Sequence, residues 1–142
     1  MGSGADGDYH ETGSERRARM ATQELKLGGT YQHYKTRGLY TALQLVKFEN
    51  RSSGPTDMQV GEVTFTGDGP LENRLVALHL SFLPSVRLYL QDDFGVQQDQ
   101  LQVLYWSKEH KRYFVRPLSE FVATVGDGSA SAPLRARFEL QK

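Results

Sequence analysis

From Leu25 onward, apolar and polar residues change places in short runs with the period of a strand rather than of a helix. Val60 to Thr66 shows this most clearly. Val60, Glu62, Thr64 and Thr66 alternate with Gly61, Val63 and Phe65, which predicts a half-buried strand with Val63 and Phe65 turned inward. Leu39 to Phe48, Arg74 to Leu80, Val86 to Leu90, Leu101 to Trp106, Tyr113 to Arg116 and Leu134 to Leu140 read as further strands. In the last of these, Arg135, Arg137 and Glu139 alternate with Ala136, Phe138 and Leu140.

The residues between these runs are turn formers. Ser52-Ser53-Gly54-Pro55, Thr66-Gly67-Asp68-Gly69-Pro70 and Gly126-Asp127-Gly128-Ser129 tolerate positive φ or fix φ. Ser107 to Arg112 has the length and charge of a hairpin loop. Helix is predicted only at Pro117 to Val122, where proline and serine open a single turn. Short strands joined by short loops imply an all-β domain, a small barrel or sandwich.

Residues 1–24 break the pattern. They contain no Val, Ile, Leu or Phe, so they cannot bury enough apolar surface to offset chain entropy, and a disordered tail is expected. A single domain over 25–142 is left. The chain holds 17 basic and 17 acidic residues, and this neutral balance gives no electrostatic signature of nucleic-acid binding. The absence of cysteine excludes disulfides and thiolate chemistry and favours a reducing compartment. No apolar run reaches the roughly 20 residues that span a bilayer, and the N-terminus carries no hydrophobic leader. A cytoplasmic or nuclear protein without a membrane partner is expected.

Two segments concentrate the chemistry. Gly29-Thr30-Tyr31-Gln32-His33-Tyr34-Lys35 and Tyr113-Phe114-Val115-Arg116-Pro117-Leu118-Ser119-Glu120-Phe121 each set aromatic rings beside cations. The first, continued by Leu39-Tyr40, resembles one half of a family pattern. Its other half is Val103-Leu104-Tyr105, a short hairpin, Val115-Arg116-Pro117, Phe121, Val125 and Arg137-Phe138-Glu139-Leu140. The chain is similar in this to the family called domain of unknown function 1653, across 28–48 and 101–140. The resemblance implies a small SH3-like β-barrel and carries no established activity. Residues 49–100 stand as an atypical inserted β segment, which either extends the barrel's sheet or forms a flap over one mouth.

The functional residue types point to binding rather than catalysis. His10, His33, His79 and His110 show no close pair that would ligate a metal from one element, so no metal and no cofactor are expected. The one acidic doublet, Asp92-Asp93, precedes Phe94-Gly95 and reads as a solvated turn. No nucleophile motif, phosphate loop or dinucleotide fingerprint is present, and an enzyme is not expected. Arg116, held between a strand end and Pro117, suits a carboxylate or phosphate, or else a structural pair with Glu120. Trp106 and Phe121 read as core residues. The candidate ligand-binding residues are Tyr31, His33, Tyr34, Lys35, Tyr105, Tyr113 and Arg116, on strands that recognise a protein segment or an assembly surface. The alternative is an RNA-contacting module with Lys35, Arg37, Lys111 and Arg112 on phosphates.

Overall fold

The computed structural model describes residues 25–49, 57–67, 72–92 and 100–141. The expectations for the 1–24 tail, the Ser52–Pro55 turn, the Asp68–Pro70 part of the next turn and Asp93 lie outside the described residues.

The described chain is all-β and barrel-like. Its strands are β1 (Thr30–His33), β2 (Leu39–Val46), β3 (Phe48–Glu49), β4 (Asp57–Phe65), β5 (Leu75–Ser81), β6 (Arg87–Gln91), β7 (Gln102–Ser107), β8 (Arg112–Pro117), β9 (Thr124–Val125), β10 (Arg135–Ala136) and β11 (Phe138–Leu140). A one-turn helix, α1 (Leu118–Phe121), begins after Pro117, where proline costs no hydrogen bond. Nine strands form one sheet in the order β11-β1-β2-β7-β8-β4-β5-β6-β3, and β9 with β10 forms a separate pair. Neighbours are antiparallel except β4 with β8 and β3 with β6.

The parallel pair at the sheet's end makes it curl. Lys47 alone separates β2 from β3, so the last strand in the order continues the third. Leu90 N–H donates to the Lys47 carbonyl at 2.9 Å, which ties β6 back to the β2–β3 junction. The described strands between residues 49 and 100, β4, β5 and β6, are therefore part of the curled sheet and not a flap. Strand β4 lies against β8 with Thr64 beside Phe114 and Phe65 beside Val115.

Two apolar cores lie on opposite faces of the central strands. The first gathers Leu25, Tyr31, Ala42, Val103, Tyr105, Phe114, Leu118, Phe121 and Phe138. The second fills the inside of the curl with Val46, Phe48, Val63, Phe65, Val76, Leu78, Leu90, Leu104 and Val115. Side chains of a strand alternate between faces. In β7, Val103 and Tyr105 enter the first core and Leu104 the second; in β8, Phe114 enters the first and Val115 the second. Val63 and Phe65 face inward as their alternation predicts.

A bulge lets β2 serve both cores. Ala42 pairs with Tyr105 and Gln44 with Leu104, so Leu43 is the extra residue. One extra residue reverses the alternation. Ala42 thus joins the first core, while Val46, four residues on, joins the second.

Three expectations change. Asp92 is 4 % exposed and its N–H donates to the Glu49 carbonyl, so it belongs to the sheet's end and not to a solvated turn. The Leu134–Leu140 strand is divided at Arg137, whose N–H donates to the Ala123 carbonyl and whose carbonyl accepts from Tyr34 N–H. Trp106 is only half-buried, resting on Tyr113 at 4.7 Å between ring centroids, whereas Phe121 is a core residue.

Candidate functional site

The β1–β2 turn is built around His33. Arg37 takes φ 64° and its N–H donates to the His33 carbonyl at 2.9 Å, while His33 N–H donates to the Gly38 carbonyl at 3.0 Å. The imidazole caps the same turn: Nδ1 accepts from Lys35 N–H at 3.2 Å and from Thr36 N–H at 3.3 Å. An Nδ1 that accepts twice leaves the ring proton on Nε2 in the neutral form. Burial, then Arg116, Arg137 and Lys35, push the His33 pKa down to about 4, so the ring is neutral at ordinary pH.

Strand order separates β1 from β8 by β2 and β7, yet curvature brings His33 and Arg116 to one pocket. His33, Thr36, Tyr40, Thr66, Tyr105, Phe114, Arg116 and Phe138 line about 210 Å³. The walls are rings packed edge to face. Tyr40 meets Tyr105 at 5.4 Å and Phe138 at 5.6 Å, and His33 meets Phe138 at 5.0 Å. Behind the wall Phe138 stacks flat on Phe121 at 4.2 Å.

Arg116 is the cation of this pocket. Its guanidinium lies 5.5 Å from the Phe138 ring centre, and Nη1 is 3.6 Å from Glu120 Oε1, longer than a hydrogen bond. Its Nε is buried and has no hydrogen-bond partner among the described residues. The pairing with Glu120 that the sequence suggests is therefore present as an ion pair, and the guanidinium also acts on the Tyr105 hydroxyl.

A short relay of hydroxyls fixes the floor. Thr66 Oγ1 donates to the Val115 carbonyl at 3.1 Å. Its single proton is then committed, so the 2.6 Å contact with Tyr105 has the phenol as donor. The Tyr105 pKa is raised by burial, against which Arg116 and the Thr66 contact act. Thr66 directly follows β4, so this part of the chain supplies one wall of the pocket. Gly67 permits this close approach, since a Cβ there would lie 2.6 Å from Pro117 Cδ and 2.8 Å from the Phe65 ring.

The candidate residues divide. His33, Arg116 and Tyr105 line the pocket, and Tyr34 leans on His33 at 5.0 Å with the Arg135 guanidinium 5.9 Å from its ring centre. Tyr31 is not on the surface: it is 6 % exposed, packed on Phe121, and its hydroxyl accepts from Lys26 N–H. Tyr113 is exposed but faces away from the pocket, because it alternates with the pocket residues Phe114 and Arg116. Lys35 and Arg37 sit on the β1–β2 turn and Lys111 and Arg112 at the β7–β8 turn. Lys108 N–H donates to the Leu39 carbonyl at 3.1 Å, which places these turns side by side at one end of the sheet. Arg112 covers Phe114 at 5.0 Å and so extends the basic rim toward the pocket.

Tyr40, Phe114, Thr36, Thr66 and Phe138 complete the lining without having been singled out as site residues. The terminal Arg137-Phe138 and the ring-rich strands held a signal for most of them. Thr66 had none. Among the described residues, no group of His, Cys, Asp and Glu is arranged to hold a metal ion, and no helix is long and apolar enough to cross a membrane. Comparison of the chain with protein-family models, curated proteins and solved structures gave no match.

Proposed function

We propose that this chain is a non-catalytic binding module that takes one side chain of a partner protein into the Arg116 pocket. The observation that carries the reading is the Arg116 guanidinium in the wall of an aromatic pocket, held by Glu120 only at 3.6 Å. A cation set against the Phe138 ring in this way is prepared for a ligand that brings a closer acceptor. Among the described residues the lining has no carboxylate, thiol, serine or amine to act as nucleophile or base; the Thr66 hydroxyl is occupied, and the Thr36 hydroxyl accepts from Gly38 N–H. His33 is fixed in its turn by both backbone donors, which suits positioning of a ligand more than shuttling of a proton.

The second reading is an RNA-contacting module. It rests on the adjacent basic turns carrying Lys35, Arg37, Lys111 and Arg112 beside the pocket's rings. One experiment separates the two. The tagged protein and its Arg116→Gln variant are used to capture partners from their own cells, with and without nuclease. Protein partners that survive nuclease and are lost with Arg116→Gln support the first reading. Partners that vanish with nuclease, or with added salt, support the second.

A further inference from the structure

The aromatic walls admit two opposite kinds of guest. Rings facing inward form a cage for alkylated ammonium groups, or they exclude water around an ion pair. Arg116 decides between them, because its guanidinium already occupies the face of Phe138 and would repel a second cation. The other groups agree. His33 lines the pocket with Nδ1 committed to the turn, which leaves Nε2–H as its donor, and Tyr40 lines the same pocket. Lys35 from the same turn and Arg137 from the β10–β11 junction add positive potential at His33. Among the described residues no carboxylate lines the pocket, and Glu120 of α1 reaches Arg116 from outside the lining at 3.6 Å.

We propose that the pocket binds a carboxylate, gripped by the Arg116 guanidinium and the His33 Nε2–H, and presented by an acidic side chain or chain terminus of the partner. The proposal rests on the binding-module reading and names the chemistry of its ligand. One fixed cation and one neutral donor in the lining match a monoanion and not a dianionic phosphate. A guanidinium takes a carboxylate through parallel N–H groups, and Arg116, held by Glu120 only at 3.6 Å, can turn its terminal N–H groups to one. The relay from Tyr105 through Thr66 to the Val115 carbonyl holds the floor against which this pair forms.

The test uses the whole chain and small probes followed by NMR. Benzoate supplies a ring for the aromatic walls and a carboxylate for Arg116; benzamide is its neutral counterpart, and tetramethylammonium and inorganic phosphate complete the set. Benzoate is expected to perturb the Thr36 amide and the His33 ring, and to bind roughly tenfold tighter than benzamide. It is also expected to raise the His33 pKa above about 4, since a nearby anion favours the imidazolium; the ring is followed above about pH 5, where the probe itself stays a carboxylate. The Tyr34, Tyr40 and Tyr105 phenols, Glu120 and the cations Lys35, Arg116, Arg135 and Arg137 are the other charged or titratable groups around it. A control titration without benzoate accounts for Glu120.

Arg116→Gln is expected to weaken benzoate roughly tenfold, and Arg116→Lys to leave an intermediate affinity. The His33 titration needs no variant. Equal binding of benzamide and benzoate, tighter binding of tetramethylammonium or phosphate, or an unmoved His33 overturns the proposal. Loss of a captured partner with Arg116→Gln, without benzoate binding, overturns the carboxylate but leaves the binding module. Benzoate binding with partner capture indifferent to Arg116→Gln overturns the module and leaves the carboxylate site.

Discussion

Gln102 offers the sharpest check on how this fold is held together. It opens β7, registered between Val46 of β2 and Pro117 of β8, and is 0 % exposed. Neither its Nε2 nor its Oε1 has a hydrogen-bond partner among the described residues. Alternation sets the side chain on the same face as Leu104, in the second core. A buried amide without partners costs about 1–3 kcal/mol of desolvation that nothing returns. Methionine has nearly the same length and shape and keeps the backbone N–H and carbonyl in the ladder. Gln102→Met should therefore stabilise the domain by about 1–3 kcal/mol. Gln102→Glu places a carboxylate in the same apolar surroundings and should destabilise by about 3–5 kcal/mol at neutral pH. Urea unfolding measures both, with the midpoint rising for methionine, falling for glutamate, and the slope unchanged. A methionine variant with a midpoint below that of the parent refutes the reasoning, because it means the amide is satisfied in the native state.

Three further outcomes are expected. Phe121→Ala should cost about 3–5 kcal/mol, because the ring is 1 % exposed, stacked on Phe138 at 4.2 Å and edge-on to Tyr31 and Tyr105; thermal unfolding reads it. Thr66→Val keeps the shape but leaves the buried Tyr105 donor without an acceptor, and should cost about 1–3 kcal/mol while Thr66→Ser costs less; urea midpoints of the two variants compare them. His33 has a folded pKa of about 4 against 6.5 for an ordinary histidine. The unfolded chain therefore binds the extra proton first as pH falls. The His33 contribution is unchanged above 6.5, is lost progressively down to about 4 and is flat below that. After allowance for the ring's partial exposure this loss is about 1–2 kcal/mol, and urea midpoints across pH for the parent and His33→Gln measure it.

Much of the fold was legible in the chain, for definite physical reasons. Turn chemistry and period-two alternation located most strands, and Pro117 marked the only helical turn among the described residues. The single-face reading failed where both faces are covered. In β7 nearly every residue is buried, and in β8 the neighbours Phe114 and Val115 both are, so alternation could not say which side faces the pocket, and Tyr113 was grouped with Arg116. Tyr31 was misassigned for a related reason: a ring beside cations in sequence can still point into the core. His33 and Arg116 were legible as polar groups in aromatic strands. Their meeting was not, because it depends on curvature set by the Leu43 bulge and the return of β3 to β6. Thr66 was hidden most completely. Its role comes from a parallel pairing with β8 that joins residues far apart in the chain, and no local pattern encodes such a partner.

The double burial of β7 and β8 bears on how the chain comes apart. A wall common to two cores has no state in which one core melts and the other remains dry, since losing either leaves Leu104 and Val115 or Tyr105 and Phe114 facing water. The stretch between β3 and β7 is therefore no removable ornament. Excising it would turn a hydrophobic interior into an exterior, and the shortened chain would meet its neighbours through that surface. For the same reason a ligand in the Arg116 pocket should tighten amide hydrogen exchange in β4 and β5 as well as around itself, as one cooperative unit.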